Sequence, residues 1–213
     1  MITLRLAEDD DVDRIVALHV ASWRVTYRGM YSDHYLDEIV EGERQRQWRE
    51  RWRDRSASWT LLAEDGPELV GFVHVELDDD PAWGPLVENL HAAPSRKRQG
   101  IGRVLLGEAA AFVARVRPGD PMHLWVLDAN TGARAFYAAV GGEDVETSPW
   151  LAAAATRSSA TASSGAIRPG SERDRQAAAR ATAGLLPTPR RCGEPWSTAS
   201  PKANTLPSRV WIQ

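Results

Sequence analysis

A basic loop with two glycines lies between a strand-like segment and an amphipathic helix. The strand-like segment covers residues 86–92, and Lys97-Arg98-Gln99-Gly100-Ile101-Gly102 follows it. Apolar residues then recur at helical spacing through residues 101–116, and Pro118-Gly119 ends that pattern. The nearly continuous apolar run at 122–127 is typical of a strand buried on both faces. This order predicts two neighbouring parallel strands joined by a crossover helix.

Further elements on both sides extend the prediction to an α/β fold with the order β-α-α-β-β-β-α-β-α. Ile2, Leu4 and Leu6 alternate with polar residues as in a strand. The remaining segments are two helices near residues 12–23 and 33–53, with the arginines of the second expected to face outward, a hairpin at 59–77, and a last helix that Asn130 or Thr131 caps and Gly141-Gly142 ends.

The pattern changes near Thr147. Residues 1–146 are predicted to form the domain, and residues 147–213, rich in Ala, Ser, Thr, Pro and Arg, a low-complexity disordered tail. One hypothesis is that this tail is read out of frame from GC-rich DNA. Residues 209–213 are the one segment beyond 147 that could form a terminal strand, after an unusually long connection.

Composition excludes several classes of protein. Residues 1–146 contain 17 basic and 26 acidic residues, which argues against a nucleic-acid partner and suits a cationic acceptor. The single Cys192 cannot form an internal disulfide, and the five histidines lack metal-ligand spacing, so no metal is expected. With no signal-peptide pattern and no long apolar run, we expect a cytoplasmic protein without a membrane partner.

The glycine loop has the character of an anion site. Gly100 and Gly102 let the backbone curl and present consecutive N–H groups, and the helix that starts there adds its positive end. Four cations flank the glycines and would help to hold a pyrophosphate without a metal: Arg96, Lys97, Arg98 and Arg103. The sequence lacks a P-loop, and Leu105 stands where a dinucleotide fingerprint needs its third glycine. The alternative is an ordinary glycine turn beside a solvated basic patch.

Two motifs resemble the GNAT superfamily of N-acetyltransferases over residues 1–146. In the first, the strand Glu88–Pro94 precedes a loop that matches [R/Q]-x-x-G-x-[G/A], except that Lys97 replaces the family's Arg or Gln. Ala92 likewise replaces a usual Val. In the second, Asn130–Tyr137 matches N-x-x-A-x-x-F-Y. The resemblance implies a mixed central sheet whose two parallel strands splay apart, and two further strands after the last helix, which the sequence pattern does not show.

The same resemblance implies acetyl-CoA as co-substrate and assigns the residues that would bind it. Leu90 and Ala92 would contact the pantetheine arm from one strand and Asn130 from the other. The pyrophosphate would lie on the loop: Lys97, Arg98, Gln99, Gly100, Ile101, Gly102 and Arg103. A cluster between the first two helices would line the acceptor pocket: Trp23, Tyr27, Arg28, Tyr31 and Tyr35. Ordinary core packing is the alternative for these aromatic side chains and is the favoured explanation for Trp23.

Two chemical roles follow as expectations. Tyr137 matches the family's tyrosine that faces the sulfur and is the candidate general acid. Glu88, on the strand that lines the cleft, is the candidate base, and a strand carboxylate that simply faces solvent explains it equally well. His91 is the alternative base. The sequence therefore predicts an N-acetyltransferase acting on the primary amine of a small molecule or peptide. A catalytically impaired acyl-CoA-binding domain, a non-enzymatic interaction module and a homodimer remain open.

Overall fold

The computed structural model describes residues 1–147 and 207–212. Four helices and seven strands occur in that part of the chain. The helices are α1 (Val12–Thr26), α2 (Val40–Arg51), α3 (Ile101–Val116) and α4 (Thr131–Ala139). The strands are β1 (Ile2–Leu6), β2 (Ser58–Asp65), β3 (Glu68–Asp80), β4 (Gly84–Ala92), β5 (Met122–Leu127), β6 (Glu143–Thr147) and β7 (Pro207–Ile212). The predicted single helix at 33–53 is a π-helical turn, Tyr35–Ile39, followed by α2.

All seven strands form one mixed sheet in the order β1-β2-β3-β4-β5-β7-β6. Every neighbouring pair is antiparallel except β4 and β5, which are parallel. Those two strands are in register only at Leu86 and His123, close to where both begin. Beyond that point they diverge, and within residues 1–147 and 207–212 no strand pairs with the carboxyl end of β4 on its β5 side. The structure therefore contains the splayed pair of parallel strands that the resemblance implied.

Helices cover both faces of the sheet. The α3 face buries an aliphatic cluster that includes Val73, Val75, Leu105, Ala109 and Leu124. The α1–α2 face is richer in aromatic side chains and includes Ile15, Leu36, Trp48, Leu62 and Phe72. Each core residue named here is less than 3% exposed, so both faces exclude water and hold β4 and β5 rigidly.

The structure contains two strands that the sequence pattern did not show. β7 lies between β5 and β6 and pairs with both, from Met122↔Ile212 to Leu127↔Pro207 on one side. The prediction of a disordered tail is therefore wrong for residues 207–212, and the alternative of a terminal strand near 209–213 is confirmed. The disorder and out-of-frame hypotheses for residues 148–206 concern a segment outside the described residues.

Local signals for these strands are weak. β6 reads Glu-Asp-Val-Glu-Thr, and β7 begins with a proline and offers only Val210 and Ile212 as alternating apolar residues. What fixes β7 is pairing along both edges and the burial of Val210 and Ile212 against the α3 face. Such long-range pairing leaves no periodicity for a sequence pattern to detect.

Candidate active site

A cleft of about 600 Å³ opens where β4 and β5 diverge. Its walls come from the carboxyl ends of both strands, the glycine loop, α4 and one face of α1. All the candidate catalytic and cofactor-binding residues except Gln99 line this one space: Glu88, Leu90, His91, Ala92, Lys97, Arg98, Gly100, Ile101, Gly102, Arg103, Asn130 and Tyr137. Gln99 is exposed in the same loop.

The loop before α3 has the backbone conformation of an anion cradle. Arg98 has φ +64° and Gly100 has φ +83°, both in the left-handed region. Gly100 is the N-cap of α3, and its carbonyl accepts the first helical hydrogen bond from Val104. The N–H groups of the first turn have no partner inside the helix and point toward its positive end. Left-handed residues stand on both sides of Gln99, and the residues that follow, Gly100, Ile101 and Gly102, line the cleft.

The cations of this loop have different surroundings. Arg96 lines the cleft, but its guanidinium is already engaged in ion pairs with Glu68 at 2.9 Å and Asp65 at 3.2 Å. The Lys97 ammonium donates to Thr26 Oγ1 at 3.0 Å and so joins the loop to α1. Arg98 is exposed. Of these three basic side chains, Lys97 and Arg98 are the two placed to meet an anion on the glycine backbone.

Asn130 caps α4 as predicted, accepting a hydrogen bond from Ala133 N at 3.2 Å. Its side chain also interacts with the phenol of Tyr27, whose pKa is raised to about 12, mainly by burial. Tyr137, two turns into α4, faces the cleft, and burial raises the pKa of its phenol above the ordinary value. Both phenols therefore stay protonated at neutral pH.

Glu88 occupies a β-bulge. Asn89 pairs with His74 and Val87 with Val75, so no residue of β3 lies opposite Glu88. The bulge turns the Glu88 side chain toward α2, where it hydrogen-bonds Arg51 and is 7% exposed. Burial raises the pKa of Glu88 to about 7, although the charges of Arg51 and Arg44 pull it the other way.

His91 is less suited to accept a proton. Its Nδ1 lies 3.0 Å from Ser22 Oγ, and its ring packs against His19 at 4.4 Å between centroids. Burial, with smaller contributions from the charges of Arg44 and Lys97, lowers the pKa of His91 to about 3. The imidazole is therefore neutral over the physiological range and belongs to the packed α1 face.

The aromatic cluster divides into two parts. Trp23 and Tyr27 line the cleft, whereas Tyr31 and Tyr35 are at most 2% exposed in the α1–α2 core. Arg28 points outward and pairs with Asp37 at 2.7 Å. Core packing is therefore a sufficient explanation for Tyr31 and Tyr35. Trp23 is part of the core and also lines the cleft.

The expectation that the arginines of α2 face outward is wrong for two of them. The side chain of Arg44 is 2% exposed and that of Arg51 is 17% exposed. Arg44 lies between Val40 and Trp48 at helical spacing, on the stripe that faces the core. The sequence contains this spacing, but an arginine is ordinarily expected on the exposed face of a helix, so burial of Arg44 was not predicted. Burial is tolerated because the guanidinium stacks on Trp23, 4.4 Å from the ring centroid.

A model of the acetyltransferase (GNAT) family matches residues 6–141. The chain belongs to the GNAT acetyltransferase family. It is 30% identical over 149 residues to the uncharacterized N-acetyltransferase YuaI of Bacillus subtilis, covering 68% of this chain and 82% of that protein. This GNAT chain thus shares a family-wide domain that spans the splayed strands, the glycine loop and α4.

Solved structures of other GNAT acetyltransferases share the fold. The PaiA N-acetyltransferase of Thermoplasma acidophilum, in complex with coenzyme A, superposes with a TM-score of 0.61 at 22% identity over 70% of this chain and 94% of that one. YncA of Salmonella typhimurium, solved with its cofactor acetyl-CoA, gives 0.58 at 12% identity over 100% and 94%. In the GNAT domain described here, residues 1–147 with 207–212, no helix has the length and apolar character needed to cross a membrane. The same residues contain no group of three or more His, Cys, Asp or Glu suited to a metal ion.

Proposed function

We propose that this chain transfers the acetyl group of acetyl-CoA to a primary amine by direct attack of the amine on the thioester. One observation carries the proposal: a single cleft joins an anion-binding helix start, a buried carboxyl group with a pKa near 7 and a protonated phenol. These are the three requirements of the reaction, which needs a bound donor, a neutral amine and a proton for the departing thiolate.

The residues present fit coenzyme A. The N–H groups at the start of α3, together with Lys97 and Arg98, suit a pyrophosphate. A Cβ at Gly102 would meet Phe136 at 3.5 Å, an ordinary van der Waals contact, so the start of α3 lies directly beside α4. The unpaired edge of β4 at Leu90 and Ala92 suits an extended amide-containing arm, with Asn130 on the opposite wall. When bound, acetyl-CoA supplies an acetyl thioester, the activated form of the group to be transferred.

Glu88 is proposed to accept the proton of the incoming ammonium group, directly or through one water molecule. With a pKa of about 7, its carboxylate is both populated and basic enough at neutral pH. A backbone N–H of β4 polarises the thioester carbonyl, the amine nitrogen forms a bond to that carbon, and the carbon–sulfur bond breaks. Tyr137 donates its phenolic proton to the departing sulfur and regains a proton from solvent.

Thermal unfolding tests the donor half of this proposal. A ligand present at 100 times its Kd raises the free energy of unfolding by about 2.7 kcal/mol. We expect acetyl-CoA and free CoA to raise Tm, and adenosine, which lacks the pyrophosphate, to leave it unchanged. A cooperative melt with no shift in acetyl-CoA would contradict the proposal.

The acceptor half is tested by turnover. A panel of primary amines is incubated with acetyl-CoA, and release of free CoA thiol is followed together with the mass of the acetylated product. Stabilisation by acetyl-CoA without acetylation of any amine would favour the alternative of a catalytically impaired acyl-CoA-binding domain.

A further inference from the structure

One buried cation in the cleft wall has no part in the reaction proposed above. The guanidinium of Arg44 comes from α2, lines the cleft and lies against the ring of Trp23. Among the described residues, neither its Nε nor its Nη2 has a hydrogen-bond partner. Buried polar groups are almost always hydrogen-bonded, and a charged one is costly when it is not.

The neighbouring carboxylate does not satisfy this arginine. Glu43 Oε2 lies 3.7 Å from Arg44 Nη2, which is beyond hydrogen-bonding distance, although close enough to balance part of the charge. Oε2 of Glu43 already accepts a hydrogen bond of 2.6 Å from the Tyr35 hydroxyl. The fork of N–H donors on Arg44 is therefore held rigidly in place and incompletely used.

Two neighbouring cations make side-chain hydrogen bonds that Arg44 lacks. Lys97, which lines the cleft, donates to Thr26, and Arg51, outside the cleft lining, donates to Glu88 although its Nη1 has no partner among the described residues. Lys97 contacts Thr26, almost one helical turn beyond the Trp23 ring that Arg44 covers. Arg44 also lies close enough to Glu88 and His91 for its charge to lower the pKa of both. An anion on Arg44 would therefore occupy the part of the cleft next to Glu88 and His91 and not the loop.

We propose that Arg44 binds a carboxylate on the acceptor, and that the acceptor class is an amine that carries a carboxylate nearby, as a free amino acid does. A planar guanidinium matches a carboxylate with two parallel hydrogen bonds, and stacking on Trp23 fixes its plane. This inference rests on the proposed function, because it names the substrate of that site.

Binding of product analogues tests the carboxylate site without turnover. N-acetylated amino acids and their matched C-terminal amides are titrated calorimetrically into the protein saturated with CoA. A charge-assisted hydrogen bond predicts that the acids bind roughly ten- to a hundredfold more tightly than the amides for the preferred side chain. Equal affinity in every acid–amide pair would overturn the proposal, whatever the variants do.

Variants assign the effect to Arg44. Arg44→Met keeps the length and apolar contact on Trp23 and should reduce the acid–amide ratio to about one, whereas Arg44→Lys should retain part of it. Arg49→Met removes an exposed arginine of the same helix and serves as the matched control. An unchanged ratio in Arg44→Met, or a loss of CoA affinity equal to the loss of acid affinity, would overturn the assignment.

Steady-state kinetics separate this proposal from the one on which it rests. We expect free amino acids to be better acceptors than their amides, with the difference expressed in acceptor KM. Acetylation of amines with no preference for a carboxylate would overturn the Arg44 site and leave the proposed function intact. Acid-selective binding through Arg44 with no acetylation of any amine would leave the site intact and overturn the proposed function.

Discussion

Burial of the Glu88 carboxyl group predicts the lower pH limit of activity. Because its pKa is raised to about 7, the carboxyl group is protonated below that pH and cannot take a proton from the amine. We therefore expect kcat/KM to fall about tenfold per pH unit below pH 7.

The same raised pKa of Glu88, about 7 against an ordinary 4.5, also makes the free energy of unfolding depend on pH. The contribution of Glu88 to that free energy is fully present below pH 4.5 and is lost as pH rises through about 7.

Glu88→Gln identifies the residue responsible for that limit. The variant should lose roughly 10²- to 10⁴-fold in kcat/KM at pH 8. The kcat/KM that remains should no longer fall as pH is lowered below 7. Rates with saturating acetyl-CoA are measured from pH 5.5 to 9, with His91→Gln as the comparison. An acid limb that persists in Glu88→Gln and disappears in His91→Gln would transfer the role to the histidine.

Tyr137→Phe separates catalysis from donor binding. The change removes only a hydroxyl, so the ring keeps its packing against Phe136 at 5.2 Å between centroids. We expect kcat to fall by roughly a hundredfold or more, with the Kd of acetyl-CoA unchanged within about twofold. Tyr27→Phe, which removes the other phenol of the cleft, is the matched control. Full activity in Tyr137→Phe would show that the departing thiolate receives its proton elsewhere.

At the scale of an element, the start of α3 depends on one glycine. Gly100 has φ +83° and open space where a Cβ would stand, so Gly100→Ala introduces backbone strain without a clash. The left-handed conformation costs an alanine about 1–2 kcal/mol. Relief of that strain would turn the N–H groups away from the cleft, and we expect CoA affinity to fall roughly tenfold.

A second glycine of the same helix provides the control. Gly107 is also unobstructed but has an ordinary helical φ, and Gly107→Ala should stabilise the protein by about 0.5–1 kcal/mol without changing CoA affinity. Both variants are compared by calorimetric titration of CoA and by thermal unfolding. Equal CoA affinity in the two variants would mean that the left-handed conformation at Gly100 is unnecessary for binding.

For the molecule as a whole, β7 is predicted to be part of the cooperative fold. Val210 is 2% exposed, and a carboxylate there would be buried without a partner, which costs several kcal/mol. Val210→Asp should therefore lower Tm by more than 10 °C or abolish cooperative unfolding. Val145→Asp, in the adjacent strand where Val145 is 37% exposed, should have little effect. Equal melting of the two variants would mean that β7 contributes no stability.

How much could be predicted from the sequence differs between elements and site. α3, the hairpin and the Asn130 cap were predicted because apolar periodicity and capping chemistry act within a few residues. The bulge at Glu88 was not predicted, because a bulge depends on the register of β3 against β4. Burial of Arg44 was also missed, because the stabilising contact is Trp23 on another helix.

The sequence alone therefore determined the order of the elements from β1 to α4, the glycine loop with its flanking charges and the family, all of which depend on residues close together in the chain. Only the tertiary structure decided that β7 completes the sheet, that β4 and β5 part beyond Leu86, and that Glu88 and Arg44 share one cleft. The physical reason is burial: strand pairing over long separations and loss of water around a charge arise only when distant segments pack together.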